Sequence, residues 1–330
     1  MRMLDNLSNT RLVGLSGVKP TGRPHIGNYF GAMRQFVALQ EEYCMFVFIA
    51  DLHGLNIVQD ATLMREYSRG VALDYLALGL DPEKSVLYRQ SDIPEITELS
   101  TIFGSLTTMP YLMRAHAFKD AEAKNKDINV GTFTYPVLMA ADILIQDASV
   151  VPVGKDQEQH LEIARDTATK FNNTFGETFL PPKTHIMNDV ATVPGIDGRK
   201  MSKSYNNTIP LFASDEEITK AVADIVTDSR SPEEPKDPDT DNIFALHKLF
   251  SIEQLADIEK RYHEGGIGYK ESKDILCENI LAFVRPLREK REAIALDHAY
   301  VERILDEGGV VARERAIAKL NNVRRKTGLW

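Results

Sequence analysis

His25-Ile26-Gly27-Asn28 and Lys200-Met201-Ser202-Lys203-Ser204 are the two stretches whose residue types could handle phosphate. The first follows the turn residues Pro20-Thr21-Gly22 and leads into a helical pattern. The open start of a helix offers unpaired N–H groups and a partial positive charge, which suits a phosphate. Gly27 would let a ligand approach the backbone closely. His25 and Asn28, three apart, share a helix face from which both could donate to one phosphoryl group. A plain turn with a capped helix would carry the same residues. The second stretch follows Gly195 and the Asp197-Gly198 turn. Two lysines three apart on such a loop can close over a polyphosphate and offset charge gained in a transition state. A bare K-x-x-K is common on solvated surfaces, and the full pentad is far more specific. A third feature is Asp142, inside the apolar run Met139-Ala140-Ala141 and Ile143-Leu144. On a helix it shares a face with Tyr135 and Met139. A lone acid there serves as a cap, as an ion-pair partner, or as a buried acceptor for a ligand N–H.

The elements that must position these residues alternate between two periods. Arg11–Ser16, Met45–Ala50, Ser85–Arg89 and Ser149–Val153 read as short strands. Continuous apolar runs such as MFVFIA suit parallel strands covered on both faces. Helical patterns start at Ile26, fill Ala61–Leu78, and return at Gln157–Phe171. This alternation indicates an α/β fold with a parallel sheet. The character changes after about Tyr205. Asp215–Val226 is helical, Ser231–Asp241 is a proline-rich acidic loop, and helices dominate from Asn242, broken at Gly265-Gly266 and Gly308-Gly309. The expected partition is a domain at 1–207 and a helical domain at 208–330.

The length of 330 residues allows a catalytic domain plus a smaller partner, and 43% apolar with 26% charged residues is ordinary for a globular chain. No apolar run approaches the ~20 residues needed to span a bilayer, and the N-terminus lacks an apolar signal core. No membrane partner and a cytoplasmic location are therefore expected. Two cysteines, Cys44 and Cys277, exclude a disulfide framework and any four-cysteine metal centre. No protein-held metal site is expected. The net charge of −9 counts against a nucleic-acid binder by total. Binding needs only a local basic patch, however. Arg313, Arg315, Lys319, Arg324, Arg325 and Lys326 could form one, or simply a solvated helix face.

Together, H-I-G-N and K-M-S-K-S resemble the signatures of class I aminoacyl-tRNA synthetases. IGNYFGAMRQF at Ile26–Phe36, TYPVLMAADIL at Thr134–Leu144 and VPVGKDQEQH at Val151–His160 are similar to the bacterial tryptophanyl branch of that class. The resemblance covers nearly the whole chain and is strongest from Ser16 to Asn206. It implies a Rossmann-like doubly wound parallel sheet in the catalytic domain, and an all-helical C-terminal domain that binds the tRNA anticodon. It also implies a homodimer. The reaction it implies is ligation of L-tryptophan to tRNA(Trp) through tryptophanyl-adenylate, with ATP and Mg²⁺ as co-substrate and no prosthetic group.

Carried over by position, the resemblance implies that Lys200, Lys203, His25 and Asn28 are catalytic. ATP contacts would come from Lys19, Pro20, Thr21, Gly27, Asn28, Val193 and the pentad Lys200, Met201, Ser202, Lys203 and Ser204. Gly154, Lys155 and Asp156 would meet the nucleotide ribose. Asp142 would accept the indole N–H. Gln157 and Tyr135 would lie near the substrate amino group, with Met139, His53, Gly17, Val151 and Val153 completing the pocket. Lys19 stands where many relatives carry glutamine, Thr21 where many carry serine, and Leu15 where some carry an aromatic residue. These departures bear on the ATP contacts and on the indole packing.

The chemistry agrees with that resemblance. Indole presents one polar group, which can only donate. Phenylalanine would leave Asp142 without a partner, and sites built to hydrogen-bond a group reject its absence by ~10⁴ or more. A tyrosine-specific ligase is the nearest alternative. The terminal Asn28, the MAAD segment and the end at Trp330 are expected to separate the chain from it. A nucleotidyltransferase of the same fold, or a paralogue without catalysis, are the others.

Overall fold

Cys44–Ile49 is buried along its whole length, as an unbroken apolar run requires. It is one strand of a five-stranded sheet in a computed structural model that describes residues 11–115, 118–119, 122, 128–153, 158–186 and 193–329. The strands are β1 (Val13–Val18), β2 (Cys44–Ile49), β3 (Ser85–Arg89), β4 (Val150–Val153) and β5 (Lys183–Ile186). Their order is β3-β2-β1-β4-β5, and every pairing is parallel. Val13 pairs with Cys44 and Val18 with Ile49, while Gly14 also pairs with Val150 on the other side. The order reverses between β1 and β4, which makes a doubly wound sheet with its switch point at the carboxyl end of β1. β5 was not expected from the sequence. Its four residues, Lys183–Ile186, are too few and too polar to stand out as an apolar run.

The longer helices are α1 (Ala61–Leu78), α2 (Glu95–Leu106), α3 (Val130–Ile145), α4 (Glu158–Phe175), α5 (Asp215–Ala223), α6 (Asn242–Phe250), α7 (Leu255–Glu264), α8 (Tyr269–Leu296) and α9 (His298–Thr327). Local chemistry sets their ends. Asp60 caps α1 through the N–H groups of Thr62 and Leu63, and Gly79 closes it at φ 102°. Asn129 caps α3 and places Asp142 three turns in. Ser214 and Glu217 form a reciprocal box at the start of α5. Among the described residues no helix is long and apolar enough to cross a membrane.

The chain groups into two compact units, one formed by Met1–Gly22, Gln35–Asn188 and Ile294–Trp330, the other by Arg23–Arg34 and Asp189–Ala293. One cut at residue 207 therefore does not describe the grouping. In the first unit, α9 packs on β3, α2 and α1. Its residues Val311, Ala312, Ala316, Leu320 and Val323 belong to the same apolar core as Phe46, Phe103 and Phe171. Burial of that face, at about 1.5–3 kcal/mol per large apolar side chain, dominates the docking.

Two readings of α9 change with this placement. The helix runs straight through Gly308-Gly309, which were read as a break. A Cβ at Gly308 would lie 2.0 Å from the carbonyl oxygen of Leu87, so glycine here lets the helix lie directly on β3. Gly265-Gly266, by contrast, end α7 as expected, both with positive φ. The basic stretch also finds partners within the unit. Arg313 pairs with Glu95, Arg324 with Glu98, and Lys319 with Asp147. Arg315 donates to the Gln146 carbonyl at 3.0 Å and lies over the Phe46 ring. These four cations serve the packing of α9.

In the second unit, Phe244, Ile258, Tyr262 and Ile267 form a fully buried cluster. Tyr29, Phe30, Phe250 and Phe283 pack around the start of the chain's first helical run, edge to face except for the stacked pair Phe30 and Phe283. His247 is fully buried and bridges two hydroxyls, Ser251 at 2.7 Å and Ser272 at 3.0 Å. Asp228 accepts from Tyr269 at 2.6 Å and from the N–H of Arg230 at 2.9 Å, so it closes a turn.

Candidate active site

The H-I-G-N stretch and the K-M-S-K-S stretch lie together in the second unit. Two backbone hydrogen bonds join them. The Ile26 N–H donates to Ile209 at 2.9 Å and the Leu211 N–H to Pro24 at 3.0 Å. Ile26, Ile209 and Leu211 are fully buried, so this staple is shielded from water. The helical run that follows opens at Ile26–Asn28, passes through a π turn at Tyr29–Met33 and continues as Arg34–Ala38.

His25 and Asn28 cap that run reciprocally. The Asn28 N–H donates to His25 Nδ1 at 3.2 Å, and the His25 N–H donates to Asn28 Oδ1 at 3.0 Å. Half of each side chain's hydrogen-bonding capacity is therefore spent on the cap. Burial, and then the nearby Lys203 ammonium, lower the His25 pKa to about 4. The ring is neutral at pH 7, and because Nδ1 accepts, its proton sits on Nε2. His25 Nε2–H and the Asn28 amide remain as the donors.

Met201 joins the two motifs through its side chain. It is 4% exposed, and its sulfur accepts the Gly27 N–H at 3.4 Å. A Cβ at Gly27 would lie 2.9 Å from His25 Nδ1 and 3.3 Å from Met201 Cβ, which is why glycine stands there. Val193 accepts the Met201 N–H at 2.9 Å. Lys200 and Lys203 are exposed, and Ser202 caps the short turn Lys203–Tyr205 by accepting from the Ser204 N–H at 3.3 Å.

Asn207 was missed by the sequence reading. It is 1% exposed, and its Oδ1 accepts the Ser202 N–H at 2.8 Å. Its Nδ2 donates to Asp197 at 2.7 Å and to the Lys200 carbonyl at 3.2 Å. A Cβ on Gly195 would meet its amide nitrogen at 2.3 Å. One buried amide thus ties both ends of the lysine loop. An asparagine just past a motif carries no periodic or compositional signal.

The remaining described side chains lie in the first unit, near the carboxyl ends of β1, β2 and β3, on α3 and in β4. Asp142 is 2% exposed among apolar neighbours. His53 Nε2 lies 3.0 Å from its Oδ2, and the Gln90 amide donates to both its oxygens at 2.9 Å. Burial raises the Asp142 pKa, partly offset by the bonds from His53 and Gln90. Gln90 was also missed. It sits one residue past β3, and nothing in the sequence points it at a helix 52 positions away. His53 packs edge-on to Tyr135 with ring centroids 6.1 Å apart, and its Nδ1 is buried without a partner among the described residues.

Tyr135 and Met139 are half-buried on α3, two turns and one turn before Asp142 respectively. Gly17, near the end of β1, has the Phe48 ring against it, and a Cβ there would lie 2.4 Å from that ring. Val151 is buried in β4, and Val153 ends that strand. Leu15 is buried in the sheet core. Lys19 Nζ lies 5.3 Å from the Tyr135 ring centroid, Pro20 is buried against Gly54, and the Thr21 N–H turns back to the Lys19 carbonyl at 3.0 Å. Gly154, Lys155, Asp156 and Gln157 lie outside the described residues.

The doubly wound parallel sheet of the first unit, with a buried acceptor near its carboxyl edge, is of the class that binds nucleotides, and the second unit holds a cationic loop stapled to a helix start. The family described as tRNA synthetases class I (W and Y) matches residues 7–293, and the chain belongs to it. It is 50% identical to a tryptophan–tRNA ligase of Rhodopirellula baltica over 319 residues, covering 96% of this chain and 99% of that one. A tryptophan–tRNA ligase of Fusobacterium nucleatum is 48% identical, covering 96% and 97%. A Campylobacter jejuni tryptophanyl-tRNA synthetase solved with ADP and tryptophan superposes with a TM-score of 0.90 at 45% identity, covering 96% of this chain and 100% of that one.

Proposed function

We propose that this chain is an enzyme that activates L-tryptophan with ATP and transfers it to the 3′ end of tRNA(Trp). The observation that carries this is the full-length similarity to tryptophan–tRNA ligases, joined to a buried carboxylate of the kind an indole N–H requires. In the first step a carboxylate oxygen of tryptophan bonds to the α-phosphorus while the bond to the β-phosphate bridging oxygen breaks. Pyrophosphate leaves with that electron pair, and tryptophanyl-adenylate remains. In the second step a terminal ribose hydroxyl of the tRNA attacks the acyl carbon, loses its proton, and AMP departs.

No protein nucleophile is needed, and catalysis is positioning and electrostatics. Lys200 and Lys203 neutralise charge on the phosphates as pyrophosphate leaves, and Mg²⁺ enters with ATP as a phosphate-bound ion. His25 Nε2–H and the Asn28 amide donate to the α-phosphoryl oxygens. A neutral imidazole suits this, because it donates without taking up a proton. Gly27, Met201, Ser202, Ser204 and Val193 shape the nucleotide side, with Lys19, Pro20, Thr21 and Gly154, Lys155 and Asp156.

Asp142 accepts the indole N–H. Tyr135, Met139, His53, Gly17, Val151, Val153 and Gln157 form the tryptophan side. The tRNA is assigned to the helical part from 208 onward; in the basic stretch of α9, Arg313, Lys319 and Arg324 are held in ion pairs and Arg315 by a carbonyl, while Arg325 and Lys326 are exposed. A homodimer and a cytoplasmic location complete the proposal.

The test is ATP–pyrophosphate exchange with tryptophan, tyrosine and phenylalanine supplied separately. Exchange with tryptophan alone is expected. Exchange with tyrosine would keep the chemistry and overturn the substrate, and no exchange would overturn adenylate formation.

A further inference from the structure

Gln90 is fully buried just past the carboxyl end of β3, and both polar atoms of its side chain are bonded to His53 and Asp142. Its Nε2 donates to Asp142 Oδ1 and Oδ2, each at 2.9 Å. Its Oε1 accepts the backbone N–H of His53 at 3.3 Å. His53 Nε2 closes the ring by reaching Asp142 Oδ2 at 3.0 Å. Because an ionised carboxylate only accepts, His53 carries its proton on Nε2.

A carboxylate buried among apolar side chains gains by taking up a proton, since burial disfavours its charge. Protonation would put a hydrogen on one Asp142 oxygen and turn it towards donation, leaving fewer lone pairs for Gln90, His53 and an indole N–H to share. Two groups facing it hold the charged form, the imidazole of His53 and the amide of Gln90. Two others act against it or are themselves affected by it. Asp51, on the same short helix as His53, disfavours a second negative charge, and Tyr88 of β3 is kept protonated by burial and by Asp142. Gln90 has no charge of its own, so its contribution persists at every pH.

We propose that Gln90 is a specificity-determining positioning residue, which by donating to both oxygens of Asp142 keeps that side chain an acceptor in one orientation, with a lone pair left for a substrate N–H. This rests on Asp142 being the indole acceptor. Gln90 touches Asp142 and not the substrate, so its loss should act on tryptophan selection and leave ATP handling alone.

The experiment is ATP–pyrophosphate exchange by the full chain over about pH 5 to 9, with Gln90→Met, Gln90→Glu and Asp142→Ala beside the parent. Gln90→Met keeps the volume without donors and is expected to raise the tryptophan KM at least ~10-fold, as for a buried charged acceptor losing its donor. The ATP KM should stay within about twofold, and the acid limb of kcat/KM for tryptophan should move to higher pH. Gln90→Glu places a like charge beside Asp142 and should move that limb further in the same direction. A purely structural role would lower activity at all pH values without moving the limb.

An unmoved limb and an unchanged tryptophan KM in either folded variant would overturn the proposal. Should Gln90→Met fail to fold, the limb of Gln90→Glu decides. If Asp142→Ala keeps its tryptophan KM, the indole-acceptor reading itself fails. Loss in Asp142→Ala with none in the Gln90 variants rejects only the role of Gln90.

Discussion

The backbone N–H of Gly27 points at the sulfur of Met201, 3.4 Å away, and this contact ties the start of a helix to the middle of the lysine loop. There is no room for a methyl group between them. Gly27→Ala is therefore expected to push Met201 and the His25 ring apart. Single-turnover adenylate formation should fall by ~10-fold or more, as a small misplacement of reacting groups does. Tryptophan affinity by equilibrium dialysis should stay within about twofold. Unchanged adenylate formation would show that the contact is dispensable.

Lys203 is the cation whose charge reaches His25. Lys203→Ala is expected to slow adenylate formation by ~10²–10³, the effect of removing one group that stabilises charge in the transition state. The tryptophan KM should be retained. A variant with the parent rate would remove Lys203 from the chemistry.

His25 should behave as a neutral donor across the working range. Its pKa is lowered to about 4, so it takes up no proton until pH falls well below 6. Nitrogen-15 NMR of labelled histidine is expected to find the Nε2–H tautomer at pH 7 and at pH 5.5. Titration of this ring near its ordinary value would contradict the capping geometry.

His247 should make the helical core acid-sensitive. Burial lowers its pKa from 6.5 to about 4. The unfolded state then binds the extra proton first, so stability is fully present above pH 6.5 and is lost as pH falls towards 4. The loss attributable to this ring is up to ~3 kcal/mol. Urea unfolding at pH 7 and pH 5 should show it, and His247→Gln should reduce the difference between the two. An equal difference in both proteins would place the acid sensitivity elsewhere.

Gly308→Ala should be among the most damaging single changes outside the site. Its Cβ would sit 2.0 Å from the backbone carbonyl of Leu87, and a strand carbonyl cannot step aside. Overpacking of this kind costs about 1–3 kcal/mol, which thermal unfolding would report. Gly328→Ala is a useful control, because it meets nothing within 4 Å although its positive φ adds some strain.

Much of the architecture was legible. Val13–Val18, Cys44–Ile49 and Ser85–Arg89 lie within two residues of the strands expected, and α1 spans Ala61–Leu78 as read. These segments carry strong local signals, either an unbroken apolar run or a helical period with a cap. β5 lacked one. In the site, His25, Asn28 and Met201 were legible by type and spacing, and they do come together. Gln90 and Asn207 were not legible, because a buried amide is recognised only by the partners it bonds.

The sequence by itself determined which chemistries were possible. The order of donors in H-I-G-N and K-M-S-K-S, the single acid in an apolar helix and the alternation of strand and helix are properties of neighbours along the chain. The tertiary structure decided which surface each element meets. α9 carries a basic stretch that read either as a nucleic-acid patch or as a solvated helix face, and a glycine pair that read as a break. Packed on β3, the same residues become ion-pair partners and a close approach. Periodicity tells which face of a helix is apolar, and only the fold tells what lies against it. For the same reason Asp142 and His53 could be named from the sequence, but not Gln90, nor the bonds by which His53 and Gln90 hold Asp142. Their contacts are made across 89 and 52 residues of chain, a separation that no local pattern encodes.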